Sequence, residues 1–336
     1  MEKNITWAPE TLPYTPITPE EARAAGQVIA RIVQNIESVI KGKHAQVELT
    51  VLCLLAEGHV LIEDIPGVGK TSLVSALART IACVNKRIQF TPDVMPSDIS
   101  GFSIYNQKTG EFEFRPGAAL SNIVLADEIN RASAKTQSAM LEIMEERQVT
   151  VDGKTYRLEP PFMVLATQNP IDSLGTYQLP EAQIDRFMIK FSLGYPDFAD
   201  ELQVVLSGRQ AKQNIASVVS AGQVNQLIGL CGRVRVDPMV AAYIVRIVTA
   251  TRTHADVKLG ASPRGSIALY AMSRAYALSQ GRSYVIPDDV KYVSPYVLSH
   301  RLILTQKART EQRDPIKLVN FIVNQVVVPV ARQSGK

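Results

Sequence analysis

The fold turns on "HVLIEDIPGVGKTSLVSALART", residues 59–80. An apolar run, Val60-Leu61-Ile62, passes through the turn-rich stretch Asp64-Ile65-Pro66-Gly67-Val68-Gly69 into Lys70, Thr71 and a segment with helical patterning. Strand, glycine-rich turn and helix in this order form a phosphate cradle. Backbone N–H groups converge on the anion, the helix N-terminus favours negative charge, and glycines keep side chains out of the approach. Lys70 supplies a point charge for β- and γ-phosphates and Thr71 a hydroxyl for Mg2+, so the candidate cradle is Pro66, Gly67, Val68, Gly69, Lys70, Thr71 and Ser72. One position departs from G-x-x-x-x-G-K-[ST]: Asp64 stands where the first glycine is expected. Aspartate supports turns by side-chain hydrogen bonding, and the glycines nearest the phosphates remain. Asp64→Gly is therefore expected to leave ATP binding largely intact.

Around this segment the pattern alternates. "HVLIEDI", "KRIQFT", "NIVLADEI", "FMVLATQN" and "FMIKFSL" are short runs rich in Ile, Val, Leu and Phe, and helical patterns follow the first and third. Strands alternating with helices predict an α/β domain with a mostly parallel sheet. After about residue 196 the strand signals stop, and six segments between Asp197 and Val328 read as helices, several opening on Ser or Asp caps or a proline at the first helical position. The predicted organisation is an extended arm over 1–18, an α/β nucleotide-binding domain over 19–196, and a smaller all-helical domain over 197–336. Thr18, Pro19 and Glu21 predict a capped start to a first helix with apolar residues at Val28, Ile32, Ile36, Val39 and Ile40, ending near Gly42. Two hairpins interrupt the pattern, one about Lys108-Thr109-Gly110 and one about Asp152-Gly153.

Further residues fit the cradle. In "NIVLADEIN" a buried strand ends in Asp127-Glu128; the first acid can hold Mg2+ through water and the second can polarise the attacking water. Two acids at a strand end are often just a solvated terminus, but here a phosphate loop precedes them. "FMVLATQNP" delivers Asn169 at the strand edge where open α/β sheets bind ligands, and an amide there can orient the water or the γ-phosphate. Arg186, before the last strand, and Arg264, at the start of a later helix, are candidates to meet transition-state charge, in some proteins from a neighbouring subunit. An arginine in a helix's first turn opposes the dipole, which makes Arg264 poorly placed for helix stability.

The net charge of +4 is spread along the chain rather than gathered into a block, so it gives only weak support to nucleic acid as a partner. The three cysteines, Cys53, Cys83 and Cys231, lie far apart without metal or redox spacing and read as buried free thiols of a reducing compartment. "MEKNITWAPETLPYTPITPEE" lacks the basic start and apolar core of a signal peptide, and no apolar run reaches membrane-helix length. A cytoplasmic protein with no transmembrane segment is expected.

The series "LIEDIPGVGKT", "IVLADEINRASAKTQSAMLEIMEERQVTVDG", "FMVLATQNPIDSLGTYQLPEAQIDRF" and "GASPRGSIALYAMSRAYALSQGRSYVIPDDV" closely resembles the MoxR family of AAA+ ATPases, over roughly residues 20–330. The resemblance implies a P-loop AAA+ core with a helical lid, assembled as a ring, usually a hexamer, with ATP and Mg2+ at subunit interfaces. It makes Lys70 and Thr71 the Walker A pair, Asp127 and Glu128 the Walker B pair, Asn169 sensor 1 and Arg264 sensor 2. Arg186 matches the arginine finger, with Arg131 a second candidate. The hairpins resemble the helix-2 insert and the pre-sensor-1 hairpin. Ala118 and Gly265 stand where proline and alanine are frequent, and neither removes a catalytic group. Family members are chaperone-like and often act with a protein carrying a von Willebrand factor A domain. The expected function is Mg-ATP hydrolysis coupled to remodelling, maturation or metal-cofactor insertion of a client protein. Two rival functions share these motifs: a nucleic-acid-dependent motor, which needs a more basic, aromatic-rich loop, and a nucleotide-gated adaptor with little hydrolysis, against which Glu128 counts.

Overall fold

The structure, a computed structural model, describes residues 15–169, 177, 179–207 and 215–329. Most of the expected N-terminal arm and the end of the helical segment after Asp197 lie outside the described residues. Thr18 and Glu21 form the expected reciprocal cap on α1 (Pro19–Glu37): Thr18 Oγ1 accepts from the Glu21 N–H at 3.1 Å and Glu21 Oε2 from the Thr18 N–H at 2.8 Å. Both donors of the first turn are thereby satisfied. The helix stops before Val39 and buries Ile29, Ile32, Val33 and Ile36; of the expected apolar residues Ile32 and Ile36 are buried within it, Val28 packs against the same core, and Val39 and Ile40 lie just beyond its end. The next helix, α2 (His44–Leu55), is buried continuously from Leu49 to Leu55, as a helix without a polar face must be.

There follow β1 (Val60–Glu63), α3 (Lys70–Thr80), β2 (Asn85–Gln89), α4 (Pro96–Ser100), β3 (Gly101–Asn106), β4 (Glu111–Pro116), β5 (Ile123–Asp127), α5 (Ala134–Glu146), β6 (Gln148–Val151), β7 (Lys154–Arg157), β8 (Met163–Gln168), α6 (Glu181–Ile184) and β9 (Ile189–Phe191). The five strands read from the apolar runs form one parallel sheet in the order β2-β5-β8-β1-β9. Their side chains alternate between two cores. Val60, Ile62, Ile123, Leu125, Met163 and Leu165 join one, while Leu61, Val124, Ala126, Val164 and Ala166 join the other. Burial on both faces explains why β1, β5 and β8 read as unbroken apolar runs rather than as an apolar–polar alternation, whereas β2 and β9, at the sheet edges, bury one face or less. Each buried aliphatic side chain contributes about 1.5–3 kcal/mol relative to exposure. The expected hairpins are β3–β4 and β6–β7; in the second, Asp152 and Gly153 both take positive φ, 49° and 75°, as a two-residue turn of this hand requires.

The remainder is α7 (Phe198–Ser207), α8 (Ala221–Gly232), α9 (Pro238–Thr253), β10 (Val257–Leu259), α10 (Pro263–Ser279), α11 (Pro287–Leu298), β11 (Ile303–Leu304), α12 (Gln306–Thr310) and α13 (Pro315–Gln325). One correction applies to the all-helical reading: β10 and β11 pair as a short antiparallel ribbon. Strands this short carry too few residues for a period-two signal. The helices of this lid share the core that covers one sheet face, together with α1 and α2. The approach is close, since a Cβ on Gly26 of α1 would meet the Gly281 nitrogen at 2.9 Å. Tyr292 of α11 also donates to Glu48 of α2 at 2.7 Å. The architecture is a parallel core sheet with a helical lid, as the resemblance implies. Cys53 and Cys231 are buried and Cys83 is half-buried, all as free thiols that burial holds protonated.

Candidate active site

Because all five strands point the same way, the loops after β1, β5 and β8 leave one edge of the sheet together. The cradle after β1 turns on Gly67 and Gly69, at φ 91° and 99°, a region that penalises any side chain. A Cβ on either glycine would meet no atom within 4 Å and would stand in the open cleft, where only bare backbone leaves room for an anion. Helix α3 begins immediately afterwards, so its unpaired N–H groups and dipole face the same space. Pro66, Gly67, Gly69, Lys70, Thr71, Ser72, Arg87, Asp127 and Glu128 line this cleft of about 290 Å3. Val68 is half-buried against the core beneath. Buried Lys70 donates from Nζ to the Asp64 carbonyl at 3.0 Å, which fixes the ammonium beside the loop.

β5 brings Asp127 and Glu128 to the cleft, and β8, which lies between β5 and β1, ties them down. Thr167 donates its hydroxyl to Asp127 Oδ1 at 2.6 Å and accepts the Glu128 N–H at 2.9 Å. Arg87, on the neighbouring edge strand, donates to Asp127 Oδ2 from Nε and Nη2 at 3.1 and 2.6 Å. Glu128 leaves the strand in the left-handed region at φ 57°, a conformation costing a non-glycine residue on the order of 1 kcal/mol. Gln137 holds the turn by donating to Ile129 O and Ala132 O at 3.1 and 3.2 Å. Arg131 Nε stands 3.0 Å from Glu128 Oε2, yet that buried oxygen has no aligned hydrogen-bond donor. Asn169 follows β8 directly, at the same sheet edge. An anion cradle, a hydroxyl and two carboxylates, one of them with a buried oxygen that has no aligned hydrogen bond, are a donor set that fits a Mg–nucleoside triphosphate and a water.

Asp64 serves a different purpose from the glycine it replaces. Its Oδ1 accepts from the next N–H in the turn, Ile65, at 3.1 Å, as the sequence suggested. Its Oδ2 reaches the exit of β9, accepting from the Leu193 and Gly194 N–H groups at 2.6 and 2.9 Å and from the Ser192 hydroxyl at 3.2 Å. The first residue of the phosphate loop is thus bonded to the linker that leads into the lid.

Arg186 and Arg264 are not brought to this cleft. Ile189 of β9 pairs with Val60, the first residue of β1, so Arg186 lies off the sheet edge opposite to Lys70, with the strands' length of roughly 10 Å between them. There Glu145, at the end of α5, forms ion pairs with both arginines, to Arg186 Nε at 3.0 Å and to Arg264 Nη2. They border a second cleft of about 230 Å3 that also includes His59, Asp185 and Arg301. His59 is buried there, accepting from Val164 N–H at Nδ1 and bonded to Met144 O at Nε2; burial lowers its pKa to about 4, so the ring is neutral. Sequence reading did not find Thr167, Arg87, Glu145, Asp185 or Arg301. Only Thr167 left a trace, as a polar residue inside an otherwise apolar strand.

A sequence model of the family described as "ATPase family associated with various cellular activities (AAA)" matches residues 59–189, and one described as "AAA lid domain" matches residues 249–320. Among relatives, Uncharacterized protein YeaC of Bacillus subtilis (strain 168) is 50% identical over 309 residues, 91% of this chain and 97% of that protein. Chaperone MoxR1 of Mycobacterium tuberculosis is 42% identical over 323 residues, 92% of this chain and 85% of that one. A crystal structure of a protein from Cytophaga hutchinsonii, described as a "putative ATPase", superposes with a TM-score of 0.87 at 38% identity, covering 93% of this chain and 98% of that one.

Proposed function

The chain belongs to the MoxR family of AAA+ ATPases, and from that premise we propose that it hydrolyses ATP with Mg2+ at the Lys70–Asp127 cleft and uses each turnover to remodel a client protein. The observation that carries this reading is the convergence of bare cradle glycines, Lys70 and the Asp127–Glu128 pair on one cleft, joined through Thr167. Lys70 holds the β- and γ-phosphates. Glu128 takes up the proton of the attacking water as it polarises it, and Asn169 orients that water. Thr71 and Asp127 would hold Mg2+, which when bound neutralises charge on the phosphates. Arg131, already beside Glu128 in the same chain, adjusts that carboxylate; Arg186 is the better candidate for the finger. Since Arg186 and Arg264 sit at the far sheet edge, they reach a nucleotide only in a neighbouring copy. This favours a ring, of which a hexamer is the family's usual form.

For the client, the exposed faces of the β3–β4 hairpin are informative. Phe102, Ile104, Tyr105 and Phe112 are each about half exposed or more, and Glu111 and Glu113 stand among them. With Lys108 and Arg115 balancing the two acids, the hairpin has no net positive charge, and its exposed aromatic and aliphatic groups suit a protein surface better than a phosphate backbone, which favours chaperone-like action, including maturation or metal-cofactor insertion, over a nucleic-acid motor. A partner with a von Willebrand factor A domain fits the same reading, as does work in the cytoplasm. No helix among the described residues is long and apolar enough to cross a membrane. The test is Mg2+-dependent phosphate release from ATP. Lys70→Ala is expected to abolish release and to weaken nucleotide binding at least tenfold, on the order of the loss of a charge-assisted contact. Full activity in Lys70→Ala would overturn the assignment.

A further inference from the structure

Beneath the two arginines at the far sheet edge lies a buried ionic joint between core and lid. Arg301, between α11 and β11 of the lid, has a side chain only 2% exposed. Its Nε donates to Asp185 Oδ1 at 2.9 Å. Its Nη2 donates to the Asp185 and Phe187 carbonyls at 3.2 and 2.7 Å, and its Nη1 to the Met188 carbonyl at 3.1 Å. One guanidinium therefore grips the backbone on both sides of Arg186. The second oxygen of Asp185 accepts from the Ser262 hydroxyl at 2.8 Å, and Ser262 also accepts from the Arg264 N–H at 3.1 Å, capping α10. Asp185 thus fixes the start of the helix that carries Arg264 as well as the segment that carries Arg186.

We propose that Asp185 and Arg301 are positioning residues that hold Arg186 and Arg264 as one rigid unit, presented to the nucleotide of a second copy of this chain. This rests on the function proposed above and adds how the two arginines are placed. A buried ion pair is a costly way to join two surfaces, since well-packed apolar groups of the same size are often as stabilising or more so. Its particular product is geometry: a planar fork with its donors occupied permits one arrangement of the chain it grips. Above the joint the arginine tips remain accessible, at 31% and 48% side-chain exposure, and share the single carboxylate of Glu145. The Arg186 Nε makes no aligned hydrogen bond despite that proximity. Two guanidiniums on one carboxylate leave a net positive charge that suits the phosphates of a neighbour, with Glu145 exchanged for the incoming anion. Because Arg301 and Ser262 belong to the lid, movement of the lid in one copy displaces the arginines offered to the next.

The experiment mixes full-length variants. Asp185→Asn alone is expected to bind nucleotide within about twofold of wild type but to lose roughly tenfold to a hundredfold in kcat, the cost of misplacing groups that act on the transition state. Mixed with Lys70→Ala, which has an intact arginine unit but a disabled cradle, its activity per Asp185→Asn chain should rise at least fivefold. A Lys70→Ala and Arg186→Ala mixture is the control. If the control recovers activity and Asp185→Asn, folded and binding nucleotide, does not, the joint is refuted while arginine supply between copies stands. If neither mixture recovers activity, supply between copies fails, and the joint's role with it. Unchanged kcat in Asp185→Asn would also overturn the proposal. Should Asp185→Asn not fold, Arg301→Lys, which keeps the charge but loses the fork, takes its place with the same expected outcomes.

Discussion

Asp64 shows how far one residue's meaning depends on contacts that sequence cannot display. Its place at the head of the phosphate loop, and its bond to the next N–H, were legible because both are local. The groups that its other oxygen binds, at Ser192, Leu193 and Gly194, lie about 130 residues away, and no local pattern announces them. A glycine at 64 would leave those amides without their acceptor, and an unpaired buried donor costs about 1–3 kcal/mol. Asp64→Gly is therefore expected to lower the unfolding free energy by roughly 2–4 kcal/mol in urea titration. Nucleotide affinity should move less than about threefold, since the glycines that face the anion are untouched. Loss of binding at unchanged stability would contradict this division of roles. Arg264 carries the complementary lesson: its conflict with the helix dipole was visible in the sequence, but its distance from Lys70 required the sheet's direction.

At the scale of elements, β8 does more than complete the sheet. Inserted between β1 and β5, it sets the side chain of Thr167 against both acids of the neighbouring strand. The strand itself was legible from its apolar run, and so were β1 and β5, because two-sided burial leaves a dense signal; the edge strands β2 and β9 were legible from shorter apolar stretches, with one face or less buried. The hairpins were legible from their turn residues, whereas β10 and β11 were too short to register. Thr167 was read as part of the strand and nothing more, because a hydroxyl's partner is fixed by register with another strand. Thr167→Val keeps the shape and the strand propensity while removing both bonds. It is expected to lower kcat for ATP roughly tenfold or more, with KM changed less than about threefold, because the acids lose their alignment rather than the cradle its anion contacts. Unaltered kcat would show that Asp127 and Glu128 hold their positions without it.

For the whole molecule, the parallel sheet separates two clefts that are half-sites of the proposed function. Cradle and acids occupy one edge; Arg186 and Arg264, braced by the lid, occupy the other. In this structure one chain does not bring them together, which is the physical reason to expect the proposed function in an assembly. A change in composition near residue 196 suggests a division into core and lid, and the helices beyond it share one hydrophobic core with α1, α2 and a sheet face. That sharing was not legible, since apolar periodicity shows that a face is buried and not what covers it. It also means that lid movement works against packed surface rather than about a free hinge. The central claim is that Glu128 activates water against ATP held by Lys70, and a single-turnover measurement with radiolabelled ATP tests it most directly. In Glu128→Gln, bound ATP should persist at least a hundredfold longer than in wild type while the affinity for ATP is retained, the loss expected when a general base is removed. Cleavage of bound ATP at the wild-type rate in that variant would contradict it.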